Sequence, residues 1–499
     1  MSLRRSPTHV GLAVVVLCIS LTSLGRHEAS AAERGLLRKW TDVSGKYSVK
    51  ASFVKNERGQ VHLRRADGRL LILKLKLLSP ADRTFVAEQL RQPNRQTVLK
   101  PVVPSPGDWL TWRGPHANGR AADAQQIPVQ WSAQENMVWK TEVPGRGHSS
   151  PIVVGHRVLL TTANVATQQQ FVVCFERATG KRLWMTSVNQ GGLPPQIHAK
   201  NTHATPTIAC NGQLAFAAFH NHNRVQLIAL NLDGKVVWQN NAHAYQPEQY
   251  KFGYAPSPLL YQSLVIVVSE FDGQSSGLVA YEQQTGKEVW RTARPNLVSF
   301  SSPIVGHVAG RDQLLLSGCR AVTSYDPQTG KPLWTTEATT QATCGTMVWS
   351  DDLVFASGGY PDKETVAIRA DGSGEIVWRN REKCYEQSML IHDGYLYAVN
   401  DSGIAFCWRA ADGQEMWKQR LGGKVSASPT LVGDTIYAAN EAGMMFVFKA
   451  QPSGYQAVAS NQLGIEGFAS PAICGNQLFL RTAEGIGPAR KEFLYCIAK

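Results

Sequence analysis

Four histidines lie close together in the sequence, at His198, His203, His220 and His222. Imidazole nitrogens bind zinc and copper, so a metal site would form here if the intervening segments folded into one loop cluster. A polar turn between two strands, built on His220 and His222, is the simpler interpretation, because the neighbouring sequence offers neither a further ligand nor a second shell of partners. The pattern therefore predicts no metal site.

The cysteines are the second group of reactive side chains. The chain has nine of them, scattered without the short spacings of a zinc site or the density of a disulfide-rich domain. Cys344 and Cys384 differ from the rest, because each precedes the predicted first strand of a repeat and the two repeats are neighbours. In an oxidising compartment this pair could form a disulfide if its geometry met the narrow limits of that bond.

A repeated turn organises the chain around these residues. Thr-Gly, Asp-Gly or Ser-Gly is followed, four residues after the glycine, by a tryptophan, and the sequence between the turns is strand-like. This pattern is typical of a β-propeller with one four-stranded blade per repeat. We expect the glycine to permit the turn and the tryptophan to cover the neighbouring blade. The blade tryptophans are Trp139, Trp184, Trp238, Trp290, Trp334, Trp378 and Trp417.

A second pattern marks the start of each blade. Ser-Pro or a variant of it precedes eight predicted first strands, at residues 150, 205, 257, 302, 346, 388, 428 and 470. The last blade has only three strands of its own, Ala472 to Cys474, Gln477 to Leu480 and Glu492 to Ile497, so Met137 to Glu142 is expected to supply its outer strand. The sequence therefore predicts an all-β protein with an eight-bladed propeller, closed by pairing of its N- and C-terminal segments.

In such a meander, the loop into the first strand and the loop between the second and third strands lie on one face of the ring. A ligand at the mouth of the central channel would contact these loops. Aromatic rings there could bind a peptide or a sugar, or plug the channel, and plugging is favoured for Phe300 and Phe468. The candidate ligand face comprises His148, His203, His220, His222, Tyr254, Glu270, Asp272, Phe300, Tyr360, Tyr385, Glu386 and Phe468.

Charge is very unevenly distributed along the chain. The formal net charge is +13, yet residues 38–100 hold fifteen Lys and Arg against five Asp and Glu, whereas residues 101–499 hold thirty-two against thirty-one. A nearly neutral propeller gives no electrostatic reason to bind nucleic acid. The basic segment could bind an acidic protein or lipid headgroups, or its charge could serve only to keep a small domain soluble.

The N-terminus, residues 1–31, has the features of a signal peptide. Arg4 and Arg5 precede an apolar run from Val10 to Leu24, and the small residues Ala29-Ser30-Ala31 fit a cleavage site. We expect an exported protein of the periplasm or cell envelope, or one secreted to the extracellular space, with no transmembrane segment in the mature chain. An uncleaved anchor is the alternative.

Residues 38–91 form a predicted small β module. Alternating apolar residues predict half-buried strands, and Ser79 and Pro80 predict the N-cap and first residue of a short helix. The order Trp40-Thr41-Asp42, Ser44-Gly45, Phe53, Asp67-Gly68, Leu78-Ser79 and Asp82 resembles SLA1 homology domain 1, an SH3-like barrel. The resemblance implies an adaptor module that binds short peptides.

Two further segments separate this module from the repeats. Residues 92–107 contain four prolines and predict an extended, semi-rigid linker. The sequence from Asp108 to Pro144 holds four tryptophans, which would be costly to leave exposed. We therefore expect this part to wrap onto the propeller and assign residues 108–499 to the propeller domain.

The Thr-Gly-Lys-x-x-Trp units, together with Trp112-Arg113-Gly114-Pro115 and Gly147-His148-Ser149-Ser150-Pro151, resemble the repeats of pyrroloquinoline-quinone-type propellers. That superfamily includes quinoprotein alcohol dehydrogenases and the non-catalytic outer-membrane assembly lipoprotein propeller. The dehydrogenases imply a quinone stacked on a disulfide between adjacent cysteines, a calcium ion and an Asp base. The chain has no Cys-Cys pair, and no compact cluster of Asp, Asn and Glu suggests calcium ligands.

These features favour an exported, non-catalytic, monomeric protein-binding scaffold without a cofactor. The propeller would be an interaction platform for peptide or protein partners and the basic module an adaptor, so that two weak sites on one chain reinforce each other. The alternative is a calcium-dependent oxidoreductase with bound pyrroloquinoline quinone, and the sequence leaves the enzyme status open, because a fold alone does not confer function.

Overall fold

The structure is a computed structural model that describes residues 37–57, 59–65, 67, 69–91, 105, 107–122 and 125–499. These residues fall into two compact units, divided between Val98 and Leu99, and each unit is considered by itself. In the described part of the chain, the strands form nine four-stranded antiparallel sheets, which confirms the all-β prediction. The expected signal peptide (1–31), most of the expected linker and Gly68 lie outside the described residues.

The N-terminal unit is a meander of four strands followed by one helix. The strands are Arg38–Thr41, Ser48–Glu57, Gln60–Arg65 and Leu70–Lys74, and a short 3-10 turn, Leu75–Leu77, precedes the helix Pro80–Arg91. The helix begins where the sequence predicts, because the hydroxyl of Ser79 accepts a hydrogen bond from the backbone N–H of Asp82 (3.2 Å). The carboxylate of Asp82 in turn accepts hydrogen bonds from Arg38 (2.6 Å) and from the backbone N–H of Thr41 (2.7 Å), which ties the helix to the first strand.

The second unit contains eight of the nine described sheets, numbered here 1 to 8. Sheet 1 comprises Ile152–Val154, Arg157–Asn164, Gln169–Glu176 and Arg182–Gln190; sheet 2, Ala209–Cys210, Leu214–Asn221, Arg224–Asn231 and Val236–Ala244; sheet 3, Leu259–Tyr261, Leu264–Ser269, Gly277–Glu282 and Glu288–Ala293; sheet 4, Ile304–Val308, Arg311–Gly318, Ala321–Tyr325 and Pro332–Glu337. Sheet 5 comprises Val348–Ser350, Leu353–Gly358, Glu364–Arg369 and Ile376–Asn380; sheet 6, Leu390–His392, Tyr395–Val399, Ile404–Arg409 and Glu415–Arg420; sheet 7, Thr430–Val432, Thr435–Ala439, Met444–Lys449 and Ala457–Gln462; sheet 8, Ala472–Cys474, Gln477–Glu484, Lys491–Ile497 and Met137–Val143.

A series of seven hydrogen bonds joins neighbouring sheets around a ring at the start of their first strands. In each bond, the backbone N–H two residues before one first strand donates to the hydroxyl at the same position of the next sheet, over 2.8 to 3.0 Å. The bonds run from Ser150 to Thr207, Thr207 to Ser257, Ser257 to Ser302, Thr346 to Ser388, Ser388 to Ser428, Ser428 to Ser470 and Ser470 to Ser150. Sheets 4 and 5 are joined differently, because the hydroxyl of Ser301 donates to the carbonyl of Gly345 (3.0 Å). The hydroxyl of Thr346 accepts a hydrogen bond from the indole N–H of Trp112 (2.8 Å).

The predicted start of the second repeat is wrong by two residues. The first strand of sheet 2 follows Thr207, whose hydroxyl belongs to the ring of hydrogen bonds. Thr205, chosen from the sequence because Pro206 follows it, instead donates a hydrogen bond to the side chain of Asn201 (2.5 Å) within the preceding loop. A Thr-Pro pair inside a long loop therefore imitates the start of a blade.

Sheet 8 is built from both ends of the second unit. Met137–Val143 pairs antiparallel with Lys491–Ile497, and Trp139 lies opposite Cys496. This confirms the predicted pairing, and the sheet closes the ring through the bond from Ser470 to Ser150.

Most of the repeat tryptophans contact the next sheet around the ring. A Cβ atom added to the turn glycine of the next sheet would lie within 3 Å of the indole in five cases, namely Trp139 over Gly180, Trp184 over Gly234, Trp238 over Gly286, Trp290 over Gly330 and Trp378 over Gly413. Trp417 reaches the next sheet by a hydrogen bond to the carbonyl of Gln451 (2.7 Å). Trp334 differs, because its indole N–H donates to Gln313 of its own sheet (2.7 Å).

Residues 107–122 and 125–131, which we call the crossing segment, run over the side of the ring where first strands turn into second strands. Trp109 exchanges backbone hydrogen bonds with Val153 of sheet 1, and Leu431 of sheet 7 exchanges them with Gly119 and Ala121. The guanidinium of Arg113 donates to the carbonyl of Met389 in sheet 6 (2.5 Å), and burial lowers its pKa to about 9. The expectation that this part wraps onto the propeller is confirmed.

Candidate functional site

A cavity of about 170 Å³ lies at the mouth of the ring, the side at which the chain leads into the first strand of each sheet. The residue two positions before the ring hydroxyl of every sheet contributes to its wall. These residues are His148, Thr205, Ala255, Phe300, Cys344, Glu386, Ser426 and Phe468. Trp112 of the crossing segment also lines the cavity, held by its hydrogen bond to the hydroxyl of Thr346.

Five residues of the predicted ligand face line this cavity: His148, Phe300, Tyr385, Glu386 and Phe468. The rings of His148 and Phe468 are stacked, with centroids 4.3 Å apart. His203 is absent from the wall, because the displaced register of sheet 2 gives its position to Thr205. Residues in the loops that lead into the first strands were thus predicted more accurately as cavity residues than those in the loops between the second and third strands.

The histidine cluster does not converge. His203 and His220 border a separate narrow pocket with Tyr254, whose hydroxyl donates to the carbonyl of Val268 (2.8 Å). The His222 ring lies against Gly192, and His198 lines the central cavity. Burial lowers the pKa of His220 to about 4. Among the described residues, no group of three or more His, Cys, Asp or Glu side chains is placed to hold a metal ion.

Three other predicted ligand residues have structural contacts. Glu270 is buried in an ion pair with Arg294 (2.6 Å). The carboxylate of Asp272 accepts hydrogen bonds from the backbone N–H groups of Glu248 (3.0 Å) and Gln249 (2.7 Å). Tyr360 packs edge to face on Tyr250, with ring centroids 5.3 Å apart. Asp272 and Tyr360 therefore hold the loop that leads into sheet 3.

Two long loops, residues 191–206 before sheet 2 and 245–256 before sheet 3, cover the mouth, and we call them the cover loops. Lys200 of the first reaches across to Glu441 of sheet 7, with Nζ 2.5 Å from Oε1. The backbone N–H of His198 and the side chain of Asn201 donate to the carbonyl of Phe252 in the second (3.2 and 2.6 Å). Sequence reasoning did not identify Lys200 or Phe252 of these loops as cavity residues.

Burial determines the electrostatics of the cavity wall. It raises the pKa of the Glu386 carboxyl, against the opposing effects of Ser426 and Lys200. It also lowers the pKa of His148 well below its ordinary value, an effect that nearby arginines strengthen. The imidazole of His148 is therefore neutral at neutral pH, and its buried Nε2 has no hydrogen-bond partner in the described structure.

Replacing Glu386 by glutamine should raise the thermal midpoint by about 2 °C at neutral pH. Burial raises the pKa of Glu386 in the folded state, so as pH rises the unfolded chain loses the carboxyl proton before the folded protein does. The stability of the wild-type protein therefore falls as pH rises from the unfolded pKa, near 4.5, through the folded pKa. The gain in thermal midpoint from Glu386→Gln should vanish at about pH 4, where the carboxyl is protonated in both states. Calorimetry on both proteins across this range tests the sign.

Glu288 supplies a control of opposite sign, since hydrogen bonding to Arg291 lowers its pKa. Glu288→Gln should therefore lose stability at neutral pH. If the thermal midpoint shifted equally in Glu386→Gln and Glu288→Gln, the role assigned to burial at Glu386 would be contradicted.

The suggested disulfide between Cys344 and Cys384 is not formed, and both residues carry free thiols. Their side chains enter different environments. Cys344 lines the cavity, whereas Cys384 packs in the core between sheets 5 and 6, with its sulfur 3.6 Å from the carbonyl oxygen of Val399.

The cavity differs from a site for the quinone and calcium ion that the resemblance to quinoprotein dehydrogenases implies. Its volume is below the roughly 300 Å³ at which pockets for drug-sized ligands begin. The chain has no adjacent cysteines, and the described part has no group of three or more His, Cys, Asp or Glu side chains placed to hold a metal ion such as calcium. These residues do not fit a quinone–calcium centre.

A family profile described as outer membrane protein assembly factor BamB matches residues 121–253, 168–419 and 362–487, which together span most of the chain. The chain belongs to this family. A second profile, SLA1 homology domain 1, matches residues 28–93. The BamB-family match covers the end of the crossing segment, from residue 121, and most of the eight sheets, and both resemblances noted in the sequence are confirmed.

A curated relative, outer membrane protein assembly factor BamB of Legionella pneumophila (strain Paris), is 24% identical over 165 residues. The match spans 28% of this chain and 42% of the relative, less than half of its length. Within the described ranges, no helix has the length and apolar character that a membrane crossing requires.

Solved structures of related proteins share the fold of this BamB-family chain. BamB from Moraxella catarrhalis superposes with a TM-score of 0.52 at 14% identity, over 73% of this chain and 97% of its own. A europium-containing methanol dehydrogenase gives 0.57 at 11% identity, over 79% and 98%. Quinohemoprotein alcohol dehydrogenase from Comamonas testosteroni gives 0.57 at 11%, over 79% and 81%. At these identities the likeness concerns the fold alone.

Proposed function

We propose that this chain is an exported, non-catalytic, monomeric scaffold protein that binds protein or peptide partners. In this proposal, residues 1–31 are a signal peptide, 38–91 an SH3-like adaptor module, 92–107 a linker and 108–499 an eight-bladed propeller. The eight four-stranded sheets of the second unit, the last of which is joined to the first by the hydrogen bond from Ser470 to Ser150, support the blade number. Family membership supports a scaffold role, and the name of the Legionella relative suggests partners in the assembly of outer membrane proteins.

The state of the cavity side chains supports binding over catalysis. Burial raises the pKa of the Cys344 thiol well above its ordinary value and also raises that of the Tyr385 hydroxyl. A nucleophilic cysteine needs a lowered pKa, because the thiolate is the reactive form. Both groups are therefore protonated and unreactive at neutral pH.

The observation that carries the proposal is the outer face of the N-terminal sheet, opposite its core. Strand pairing places Arg64 beside Leu70 and His62 beside Ile72 on this face, and Leu70 and Ile72 are 51% and 49% exposed. Lys39 and Lys50 form a neighbouring pair. Exposed apolar side chains framed by positive charges are typical of a surface that binds an acidic partner. We infer that an extended acidic peptide binds here.

The mature full-length chain should bind a short fluorescein-labelled peptide of alternating glutamate and valine. Lys50→Glu with Arg64→Glu should weaken binding by about tenfold or more, because both changes place like charges against the peptide. Raising the salt concentration should weaken the wild-type complex in the same direction. Fluorescence anisotropy measures each affinity.

Lys287→Glu with Lys331→Glu is the matched control, since both lysines are exposed on turns of the second unit. Equal losses for the two double variants would show non-specific attraction and contradict the peptide site. Stoichiometric uptake of pyrroloquinoline quinone with calcium, accompanied by alcohol oxidation, would overturn the scaffold proposal as a whole.

A further inference from the structure

The cavity contains one carboxylate that lacks a cationic partner. Three acidic residues lie at this mouth, and two of them pair with lysines: Glu441 with Lys200 at 2.5 Å, and Asp401 with Lys383 at 3.1 Å. Glu386 forms no ion pair within the described part of the chain. Its raised pKa reflects burial, with Glu441 and Asp401 contributing in the same direction. A positively charged ligand would pair with the third carboxylate, that of Glu386.

Aromatic rings make up much of the remaining wall. Phe252 and Phe300 are stacked, with centroids 5.9 Å apart, and Phe468 lies against neutral His148. Trp112 lines the cavity from the crossing segment. Ring faces attract cations and pack against apolar groups. The cavity therefore combines an apolar lining with a single unpaired negative charge.

Size restricts the ligand further. A cavity of about 170 Å³ accommodates one small molecule or one side chain rather than a peptide segment or a large cofactor. The His148 imidazole, neutral at neutral pH, offers no charge to attract an anion. The nearest lysine, Lys200, is held by Glu441.

We propose that this cavity binds a primary ammonium group on an apolar stem, with the ammonium on Glu386 and the stem among Phe252, Phe300 and Phe468. The inference rests on the proposed binding role of the chain and names the ligand chemistry of its propeller. A free small amine and a lysine side chain of a partner share this chemistry. The contact between Lys200 and Glu441 holds the cover loop at the edge of this cavity.

Isothermal titration of the mature full-length protein with benzylamine tests the proposal, and benzyl alcohol is the neutral control of similar shape. Benzylamine should bind at least about tenfold more tightly than benzyl alcohol, and Glu386→Gln should remove this preference. Glu288→Gln, a change at an exposed carboxylate of sheet 3, should leave it intact. Binding should tighten from about pH 4 to neutral pH as Glu386 ionises while the amine stays charged.

Equal binding of benzylamine and benzyl alcohol, no binding of either, or an equal loss in both variants would overturn the amine site. Titration with Nα-acetyl-lysine methylamide then separates the two sources: tighter binding than benzylamine indicates a partner lysine, and weaker binding indicates a free amine. If the acidic peptide still binds while benzylamine does not, the amine site is wrong and the scaffold proposal stands.

Discussion

Glu270→Ala should lower the free energy of unfolding by about 3–5 kcal/mol. Glu270 and Arg294 are 1% and 2% exposed at their side chains and lie 2.6 Å apart. Burial alone would lower the pKa of Arg294, but the charge of Glu270 beside it raises that pKa overall. Removing the carboxylate would leave a guanidinium buried without a counter-charge. Denaturant unfolding followed by tryptophan fluorescence measures the loss.

The exposed pair of Glu288 and Arg291, in the same sheet as Glu270, is the matched comparison. Glu288→Ala should cost no more than about 1 kcal/mol, because solvent screens an exposed ion pair. Replacing both Glu270 and Arg294 by methionine should recover much of the loss, since no unpaired charge would remain. If Glu270→Ala and Glu288→Ala lowered the free energy of unfolding equally, the buried ion pair would not be structurally important, and Glu270 would again be a candidate ligand residue.

Trp378→Ala should lower the free energy of unfolding by about 3–5 kcal/mol. The indole is 8% exposed, lies over Gly413 of the next sheet and donates a hydrogen bond to the carbonyl of Ala410 (2.7 Å). Its loss would leave a cavity between sheets 5 and 6 and a carbonyl without its partner. Chemical denaturation is again the measurement.

The glycines provide a sharper test of the same contact. Gly413 and Gly374 both have φ +73°, but an added Cβ at Gly413 would lie 2.7 Å from the indole of Trp378, whereas at Gly374 it would meet only Thr336, at 3.1 Å. Gly374→Ala should cost about 1–2 kcal/mol for the left-handed conformation, and Gly413→Ala distinctly more. In the Trp378→Ala background the two alanine changes should cost the same. A persistent difference would show that the indole is not what restricts Gly413.

The repeat was predictable because its determinants are local. A glycine with positive φ and a tryptophan four residues later lie in one turn and the strand after it, so the pattern survives in the sequence whatever surrounds it. The register failed only at Thr205, where a loop residue followed by proline carries the same local signal as a blade start. The ring hydroxyl of Thr207, which decides the register, bonds to another sheet.

The cavity was only partly predictable for the same reason. His148, Phe300, Glu386 and Phe468 occupy a fixed position relative to the first strands, so counting along the repeat found them. Lys200 lines the cavity because its loop crosses the mouth to Glu441. Glu270 does not line the cavity and is paired with Arg294, which follows the last strand of sheet 3. Such pairings depend on distances that the sequence does not express.

The closure of sheet 8 has a consequence for how the chain is made. Met137–Val143 is synthesised about 350 residues before its partner strand Lys491–Ile497. The ring therefore cannot close until residues 491–497 have been made, and until then the early strand lacks the edge with which it will pair. An unpaired edge invites contact with other chains. Deletion of the strand Lys491–Ile497 alone would leave the other seven sheets of this unit intact yet produce an open, aggregation-prone ring.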